Sequence, residues 1–248
     1  MDLHYQERVL CYIDILGFKH LVGNNENCED KFSMVYNALD IIFQEKKEND
    51  RLNNIDGGEL DFRVSTFSDC IAFSEPFENE GSFFYILTMA YYVQASLLDA
   101  GVPCRGAISI GKLFHNGELI FGPALNEAVT SEEHNAIYPR IIVSKDTYNK
   151  GIKENHSMNS DEEDLQWINS RLSDDVDGFK YVNYFNQSSE FDDSDQYYCF
   201  LSNCKKIIEN NLNLTSFKEH EYQKYYWMKE KFNSVVKHFK KYPELLIK

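Results

Sequence analysis

The chain has 248 residues, of which 43% are hydrophobic and 15% aromatic, so it can bury a sizeable core and is not expected to be disordered. Its formal net charge is −15, from 40 acidic and 25 basic residues, and a field of that sign opposes binding to the phosphate backbone of DNA. The first apolar run, residues 8–15, is too short for a signal peptide or a membrane span, which predicts a cytoplasmic protein without a membrane partner.

The N-terminal half alternates strand-like and helix-like segments. Residues 8–15 are rich in β-formers and predict a buried strand that ends near Asp14. Two further strand-like runs meet at Ser68 and Asp69, so a hairpin with Asp69 at its bend is expected. Apolar periodicity and end signals predict helices at 30–48 and 81–101.

The C-terminal half begins with a strand that contains close-packing glycines and ends in helices. The expected elements are a strand at 104–115, a hairpin return leading into a helix at 123–136, strands at 138–144 and 180–185, and helices at about 195–212 and 216–241. We predict a core of residues 1–155. Residues 156–248, an acidic loop, a strand and the last helices, pack on it to give a single domain.

Two carboxylates at strand ends carry the clearest chemical signal. Asp14 and Asp69 could together hold divalent metal, two Mg²⁺ or Mn²⁺ ions per site, because carboxylate oxygens are the ligands these ions prefer. After Asp14 the chain could turn at Gly17, and the backbone N–H groups there could face a triphosphate; the residues concerned are Ile15, Leu16, Gly17 and Phe18. The alternative for each aspartate alone is a carboxylate that caps a turn.

Four segments, in order, resemble the motifs of class III nucleotidyl cyclases. The run at 12–18, YIDILGF, is similar to their first metal motif, and the run at 66–73, TFSDCIAF, is similar to the second, with Ser68 where a glycine is usual. The run at 105–111, RGAISIG, resembles their glycine-containing strand, and the run at 122–128, GPALNEA, resembles the start of a helix whose asparagine orients the ribose. The resemblance covers roughly residues 8–143.

This resemblance implies an α+β fold, the ferredoxin-like βαββαβ palm of these cyclases, here with a C-terminal helical extension. It implies a homodimer whose composite active sites lie at the subunit interface. Asp14, the carbonyl of Ile15 and Asp69 would bind the metal. The 3′-hydroxyl of a nucleoside triphosphate would attack the α-phosphate, and pyrophosphate would leave.

Three positions depart from the family pattern. Ser65 and Leu119 stand where the family reads a purine base, so ordinary purine recognition is not expected, although both remain substrate-contacting positions. Thr130 stands four residues after Asn126, where an arginine usually stabilises the transition state. The cations that could replace it are Arg140, Arg105 and Lys112, each of which could instead be a surface cation or a structural ion-pair partner. Asn126 is expected to orient the ribose, or else to cap its helix.

The pattern is most similar to the bacterial pyrimidine cyclases of the Pycsar antiphage system. The run at 138–141, YPRI, and the aromatic segment near 226–233 add to this resemblance. It implies that UTP, ahead of CTP, is converted to a 3′,5′-cyclic nucleotide that activates a separate effector protein. Two alternatives stay open: a degenerate cyclase fold that binds nucleotide without turnover, and a palm enzyme that makes di- or oligonucleotides.

Overall fold

The computed structural model describes residues 4–18, 61–153 and 160–248, with scattered positions between 33 and 51. Its strands are β1 (Gln6–Ile15), β2 (Arg63–Phe67), β3 (Cys70–Pro76), β4 (Cys104–His115), β5 (Ile120–Phe121), β6 (Ile141–Val143), β7 (Leu172–Asp174) and β8 (Lys180–Val182). Its α-helices are α1 (Ser82–Asp99), α2 (Pro123–Asn135), α3 (Lys145–Lys153), α4 (Asp161–Arg171), α5 (Ser194–Leu214) and α6 (Glu219–Val236). Short 3₁₀ turns lie at Ser188–Glu190 and Pro243–Leu245.

One mixed sheet organises these elements. The strand order is β2-β3-β1-β4-β6-β8-β7, and β5 pairs with β4 beside this path. The first four strands are antiparallel in the order 2-3-1-4, which is the order of a ferredoxin-like palm, and β6 joins β4 in parallel. The predicted α+β palm with C-terminal helices is therefore confirmed. The predicted division at residue 155 stays a prediction, although β7 and β8 extend the same sheet.

The sheet has two faces because side chains alternate along each strand. Odd-numbered residues of β1, such as Val9, Cys11 and Ile13, point into the main core with α1. Even-numbered residues point to the opposite face, where Leu10 and Tyr12 pack against Ala124 and Ala128 of α2. We call this second side the α2 face, and Asp14 belongs to it by the same alternation.

Most predicted elements of the first 144 residues lie where the pattern placed them. The hairpin bends at Ser68 and Asp69, and β1 runs one residue beyond Asp14. Most of the predicted helix at 30–48 lies outside the described residues. The strand expected at 138–144 is only three residues long, because the chain at Tyr138–Arg140 is irregular and ties Arg140 into side-chain contacts.

Helices α3 and α4 and strand β7 were not predicted. The region before β8 was interpreted as acidic loop because its charges hide the short apolar pattern. A capping box nevertheless begins α4: Ser160 accepts from the amide of Glu163, and Glu163 accepts from the amide of Ser160. That spacing of Ser and Glu was the signal that could have located α4. No helix in the described ranges has the length and hydropathy that crossing a lipid bilayer requires.

Candidate metal and nucleotide site

The carboxylates of Asp14 and Asp69 converge at one end of the α2 face. Asp14 is the penultimate residue of β1, and Asp69 lies in the β2–β3 turn, whose next residue, Cys70, is the register partner of Asp14. One ligand atom from each of these three side chains lies within 4.8 Å of the others, and all three are partly exposed. Two carboxylate oxygens at this separation suit a divalent cation. Sequence and geometry therefore agree on the pair.

The turn that carries Asp69 is fixed by its backbone. Ser68 has φ 55°, in the left-handed region that glycine enters without steric cost, so a serine here is mildly strained. The amide of Ile15 donates to the carbonyl of Asp69 at 2.8 Å, which ties the turn to the end of β1. This bond sets the spacing of the two carboxylates without using either side chain.

The segment after Asp14 turns at Gly17, as the sequence predicted. Gly17 has φ 75°, a conformation that favours glycine, and it is exposed. The amide of Ile15 is used by Asp69, and the amide of Leu16 donates to the carbonyl of Pro103 at 3.0 Å. The predicted phosphate contact therefore falls to the amides of Gly17 and Phe18. The proposed ligation by the Ile15 carbonyl stays a prediction.

Arg105 brings a positive charge directly to the carboxylate pair. It is the register partner of Asp14 on β4, and its Nε donates to Asp14 Oδ2 at 3.3 Å. The same Nε lies 2.6 Å from Oε1 of Glu132, a buried residue of α2, in a contact that is too poorly aligned to count as a hydrogen bond. Arg105 thus stands between a carboxylate open to ligands and one that is enclosed.

The enclosed carboxylate has a perturbed pKa. Burial raises the pKa of Glu132 to about 7; Arg105 opposes this shift, and the charges of Asp14, Glu133 and Asp69 add to it. A buried acid that titrates near neutrality is a common feature of functional sites. It also couples the charge on α2 to that on Asp14, because any cation bound at Asp14 and Asp69 would favour the ionised form of Glu132.

We predict a pH-dependent stability that comes from Glu132. Since its folded pKa of about 7 exceeds its ordinary value of 4.5, the folded protein binds more protons than the unfolded chain between these limits. The free energy of unfolding contributed by this group therefore falls as pH rises from about 4.5 to about 7, and then levels off. Urea unfolding of Glu132→Gln should show a gain in stability over wild type that grows across this window.

The matched control for this prediction is Glu133→Gln, because Glu133 is the exposed neighbour on the same helix. Because this side chain is exposed, Glu133→Gln should change the free energy of unfolding by less than about 0.5 kcal/mol. A stability difference between Glu132→Gln and wild type that does not grow between pH 4.5 and 7 would contradict a buried Glu132 with a raised pKa.

The other two cations named from the sequence differ from Arg105, one in its position and one in its partners. Lys112 lies seven residues along β4 from Arg105, so alternation puts it on the opposite face of the sheet. The fully buried guanidinium of Arg140 is paired with Asp175 and Asp177. Their catalytic roles stay predictions, and the contact with Asp14 favours Arg105.

Ser65 and Leu119 lie together although they are distant in sequence. The Ser65 hydroxyl donates to the carbonyl of Gly117 at 3.2 Å, in the β4–β5 turn that also holds Leu119. The Leu119 side chain is 60% exposed, and its amide donates to Asn116 Oδ1 at 2.8 Å. The two predicted base-contacting positions are therefore linked through one turn on the β2 side of the sheet, where Ser65 is only 9% exposed and Leu119 is open to solvent.

Asn126 faces away from its own sheet. Ala124 and Ala128 are the residues of α2 that pack on the α2 face, and at 100° per residue Asn126 lies on the opposite side of the helix. It is exposed, as is Thr130 one turn later. Within one chain Asn126 therefore does not point toward Asp14.

Four side chains at or near the site were not found from the sequence. Cys70 lies 2.9 Å from the Tyr12 hydroxyl. Burial and then the charge of Arg105 lower the pKa of Lys224, on α6, while Glu221 and Asp14 oppose that shift. The four are Tyr12, Cys70, Glu132 and Lys224. Among them, only Cys70 had a signal in the sequence, namely its position directly after Asp69.

Comparisons with known proteins give low-identity matches. A scan against protein-family models finds no match, and a search of curated proteins finds none. Among similar solved structures, the monomeric guanylyl cyclase domain of the RhoGC fusion protein from the aquatic fungus Blastocladiella emersonii is 14% identical, covering 72% of this chain and 94% of that chain, with a TM-score of 0.42. The catalytic core of a rhodopsin-guanylyl cyclase with converted specificity, in complex with ATPalphaS, is 14% identical over 72% of this chain and 96% of that chain, with a TM-score of 0.41.

A bacterial light-regulated adenylyl cyclase is also 14% identical, covering 66% of this chain and 57% of that chain, with a TM-score of 0.28. All three neighbours are thus nucleotidyl cyclases. At this identity and these TM-scores they carry no inference about the reaction of this chain, and the assignment of the site rests on its own residues.

Proposed function

We propose that this chain is a nucleotidyl cyclase that converts a pyrimidine nucleoside triphosphate, UTP or CTP, to the 3′,5′-cyclic nucleotide and pyrophosphate. The observation that carries the proposal is the convergence of Asp14 and Asp69 on the α2 face, with Arg105 against Asp14. The motif resemblance across residues 8–143 supports the choice of reaction. A bond forms between the 3′-oxygen and the α-phosphorus, and the bond from the α-phosphorus to pyrophosphate breaks.

The residues divide this work by charge and position. Asp14 and Asp69 would hold Mg²⁺ or Mn²⁺, which when bound stabilises negative charge on the phosphates and favours ionisation of the 3′-hydroxyl. Arg105 is the cation best placed to balance charge that develops on the phosphates, and Lys224 adds a second positive charge nearby. Both would substitute for the arginine that is absent at Thr130.

The direction of Asn126 supports composite sites in a homodimer. Because it points away from its own sheet, it can meet a ribose bound at Asp14 only if that Asp14 belongs to a second copy of the chain. Exposed apolar side chains beside the β2–β3 turn and on the β4–β5 hairpin supply a surface for such a partner: Phe67 is 55% exposed, Leu119 60% and Phe121 48%. A two-fold dimer would then build two equivalent sites.

The proposal extends to the role of the product in signalling. The cyclic pyrimidine nucleotide would act as an antiphage messenger for a separate effector protein. Support comes from the sequence resemblance to Pycsar cyclases, and from the absence at Ser65 and Leu119 of the residue types that read purines.

A second candidate function is a nucleotide-binding module without turnover. Thr130 is exposed where the family has its arginine, and Arg140 is engaged in a buried ion-pair network. If Arg105 and Lys224 do not supply the missing positive charge, the protein would bind a nucleoside triphosphate without converting it to product.

The deciding experiment offers ATP, GTP, CTP and UTP separately with Mn²⁺ and identifies each product by mass. We expect cyclic UMP or cyclic CMP with release of pyrophosphate, at least roughly tenfold above either purine product, because the purine-reading side chains are missing. Dominant cyclic AMP or cyclic GMP would refute the pyrimidine assignment. Dinucleotide or oligonucleotide products would indicate a palm enzyme that joins nucleotides. Tight binding without any product would indicate a nucleotide-binding module.

A further inference from the structure

Behind Ser65, buried polar side chains form a continuous hydrogen-bonded chain across the α2 face. Arg8 Nε donates to Ser74 Oγ at 2.8 Å, and Ser74 Oγ lies 2.8 Å from Nδ1 of His115. Nε2 of His115 lies 3.0 Å from Ser65 Oγ, which donates to the carbonyl of Gly117 at 3.2 Å. The chain thus runs over strands β1, β3, β4 and β2 and ends at Ser65, a predicted base-contacting position.

The first member of this chain is held firmly. Arg8 is 1% exposed; its Nη1 donates to Gln6 Oε1 at 2.7 Å and to Asp61 Oδ2 at 2.5 Å. Its Nη2 donates to the carbonyl of Ser74 at 3.1 Å. An arginine has no acceptor atoms, so its contact with the Ser74 hydroxyl has one possible direction.

The other bonds take their direction from the far end of the chain. The carbonyl of Gly117 can only accept, so it takes the single proton of the Ser65 hydroxyl, and Nε2 of His115 must donate to Ser65 Oγ. Burial, and then the charges of Arg8 and Arg63, lower the pKa of His115 to about 3, so the ring is neutral near pH 7 and has only this one proton. Nδ1 therefore accepts from the Ser74 hydroxyl, and that direction is compatible with Ser74 Oγ accepting from Arg8.

The Ser65 hydroxyl is left with one unused hydrogen-bonding position. A hydroxyl has one proton and two lone pairs. The proton is given to the carbonyl of Gly117 and one lone pair accepts from His115, so a lone pair is what remains for a ligand.

We propose that the chain from Arg8 through Ser74 and His115 locks Ser65 as a hydrogen-bond acceptor toward the base, and that the enzyme therefore prefers CTP to UTP. This inference rests on the proposed pyrimidine cyclase function and on Ser65 as one of its base-contacting positions. The exocyclic amine of cytosine is a donor and matches the free lone pair. The carbonyl oxygen at the same position of uracil is an acceptor. It gains a hydrogen bond from Ser65 only if Ser65 loses its hydrogen bond to the carbonyl of Gly117. The order expected from the sequence, UTP ahead of CTP, is thereby reversed.

The test measures kcat/KM for CTP and UTP in wild type and in four variants. Wild type should prefer CTP roughly tenfold, the size of one matched against one mismatched neutral hydrogen bond. Ser74→Ala and His115→Met should bring the ratio to within about threefold, because Ser65 is then free to turn its proton toward uracil. His115→Gln should keep most of the preference, since its side-chain amide can still donate to Ser65.

The matched control is Ser109→Ala, a second buried serine on the same face, whose hydroxyl donates to the carbonyl of Ala124 outside this chain. It should leave the CTP:UTP ratio unchanged. Thermal unfolding of each variant separates loss of folding from loss of preference.

A readout independent of turnover is the imidazole ¹⁵N spectrum of His115 in the wild-type protein. We expect the Nε2–H tautomer, no titration between pH 5 and 8, and a shift of the Nε2 resonance at lower CTP than UTP concentration. An Nδ1–H tautomer, titration near pH 6.5, or a UTP preference unaffected by Ser74→Ala would overturn the inference while leaving the cyclase activity intact. Absence of any cyclic pyrimidine product would instead refute the proposed function, and the CTP and UTP titrations would then decide the inference.

Discussion

Asp14→Asn and Asp69→Asn should each lower cyclic nucleotide formation by at least about a hundredfold. Each substitution keeps the shape of the side chain but removes the negative charge that a divalent cation needs as a ligand, and both carboxylates serve the same cluster. Binding of Mn²⁺, followed by its electron paramagnetic resonance signal, should weaken in parallel. Neither change should unfold the protein, because both side chains are partly exposed.

The control for these variants is Asp146→Asn, which removes an exposed carboxylate from α3 and should retain wild-type activity and Mn²⁺ affinity. If Asp14→Asn or Asp69→Asn kept full activity, the assignment of the metal pair would be lost. Activity that falls while Mn²⁺ affinity is unchanged would mean that the carboxylates act without a metal.

The same variant tests whether the sites are composite. Asp14→Asn mixed with Asn126→Ala should recover about a quarter of wild-type activity, because half of the dimers are mixed and each holds one intact site. No recovery after confirmed subunit exchange would place Asn126 and Asp14 of one chain in the same site. The direction of Asn126 on α2 argues for recovery.

The second large effect is expected from Asp175→Asn, which should lower the free energy of unfolding by about 3 kcal/mol. The Asp175 side chain is 1% exposed and is paired with Arg140; it also accepts from Trp227 Nε1 at 2.9 Å and from Lys231 Nζ at 2.7 Å. Burial raises its pKa, but the hydrogen bonds from Lys231 and the Val176 amide and the charge of Arg140 together hold the pKa below its ordinary value. Losing this charge leaves buried cations undercompensated.

The neighbouring residue provides a control with the same chemical change. Asp174 is paired with Lys180 at 2.8 Å, but its side chain is 81% exposed, so Asp174→Asn should cost less than about 1 kcal/mol. Urea unfolding measures both, with equal slopes required for the comparison. Equal losses for the two variants would contradict a buried network around Asp175.

This network also explains why Arg140 was an ambiguous prediction. From the sequence it was one of three cations that could replace the missing arginine, beside Arg105 and Lys112. Its partners lie 35 or more residues further along the chain, on the β7–β8 loop and α6, and its guanidinium lies 5.4 Å from the Tyr138 ring centre. No local sequence pattern predicts such contacts, because they form only when α6 packs against the sheet.

The convergence of the two carboxylates could be predicted because its signals are local. Asp14 and Asp69 each follow an apolar run of β-formers, and the bend between β2 and β3 is readable from Ser68 and Asp69 alone. Period-two alternation then fixes which face each strand residue occupies once one is known. The palm order of the first four strands followed from the resemblance, and the register of β1 with β3 and β4 confirmed it.

By itself, the sequence determined the two carboxylates, the turn at Gly17 and the succession of strands and helices through 144, because hydrophobic period and turn chemistry are properties of neighbouring residues. The tertiary structure alone decided which cation meets Asp14, that Glu132 is enclosed beside it, and that a hydrogen-bonded chain starting at Arg8 ends on Ser65. These features depend on side chains brought together from distant strands, where burial sets pKa values and hydrogen-bond direction. The candidate metal pair is thus encoded locally, whereas its charge balance and the hydrogen bonds around Ser65 are encoded by packing.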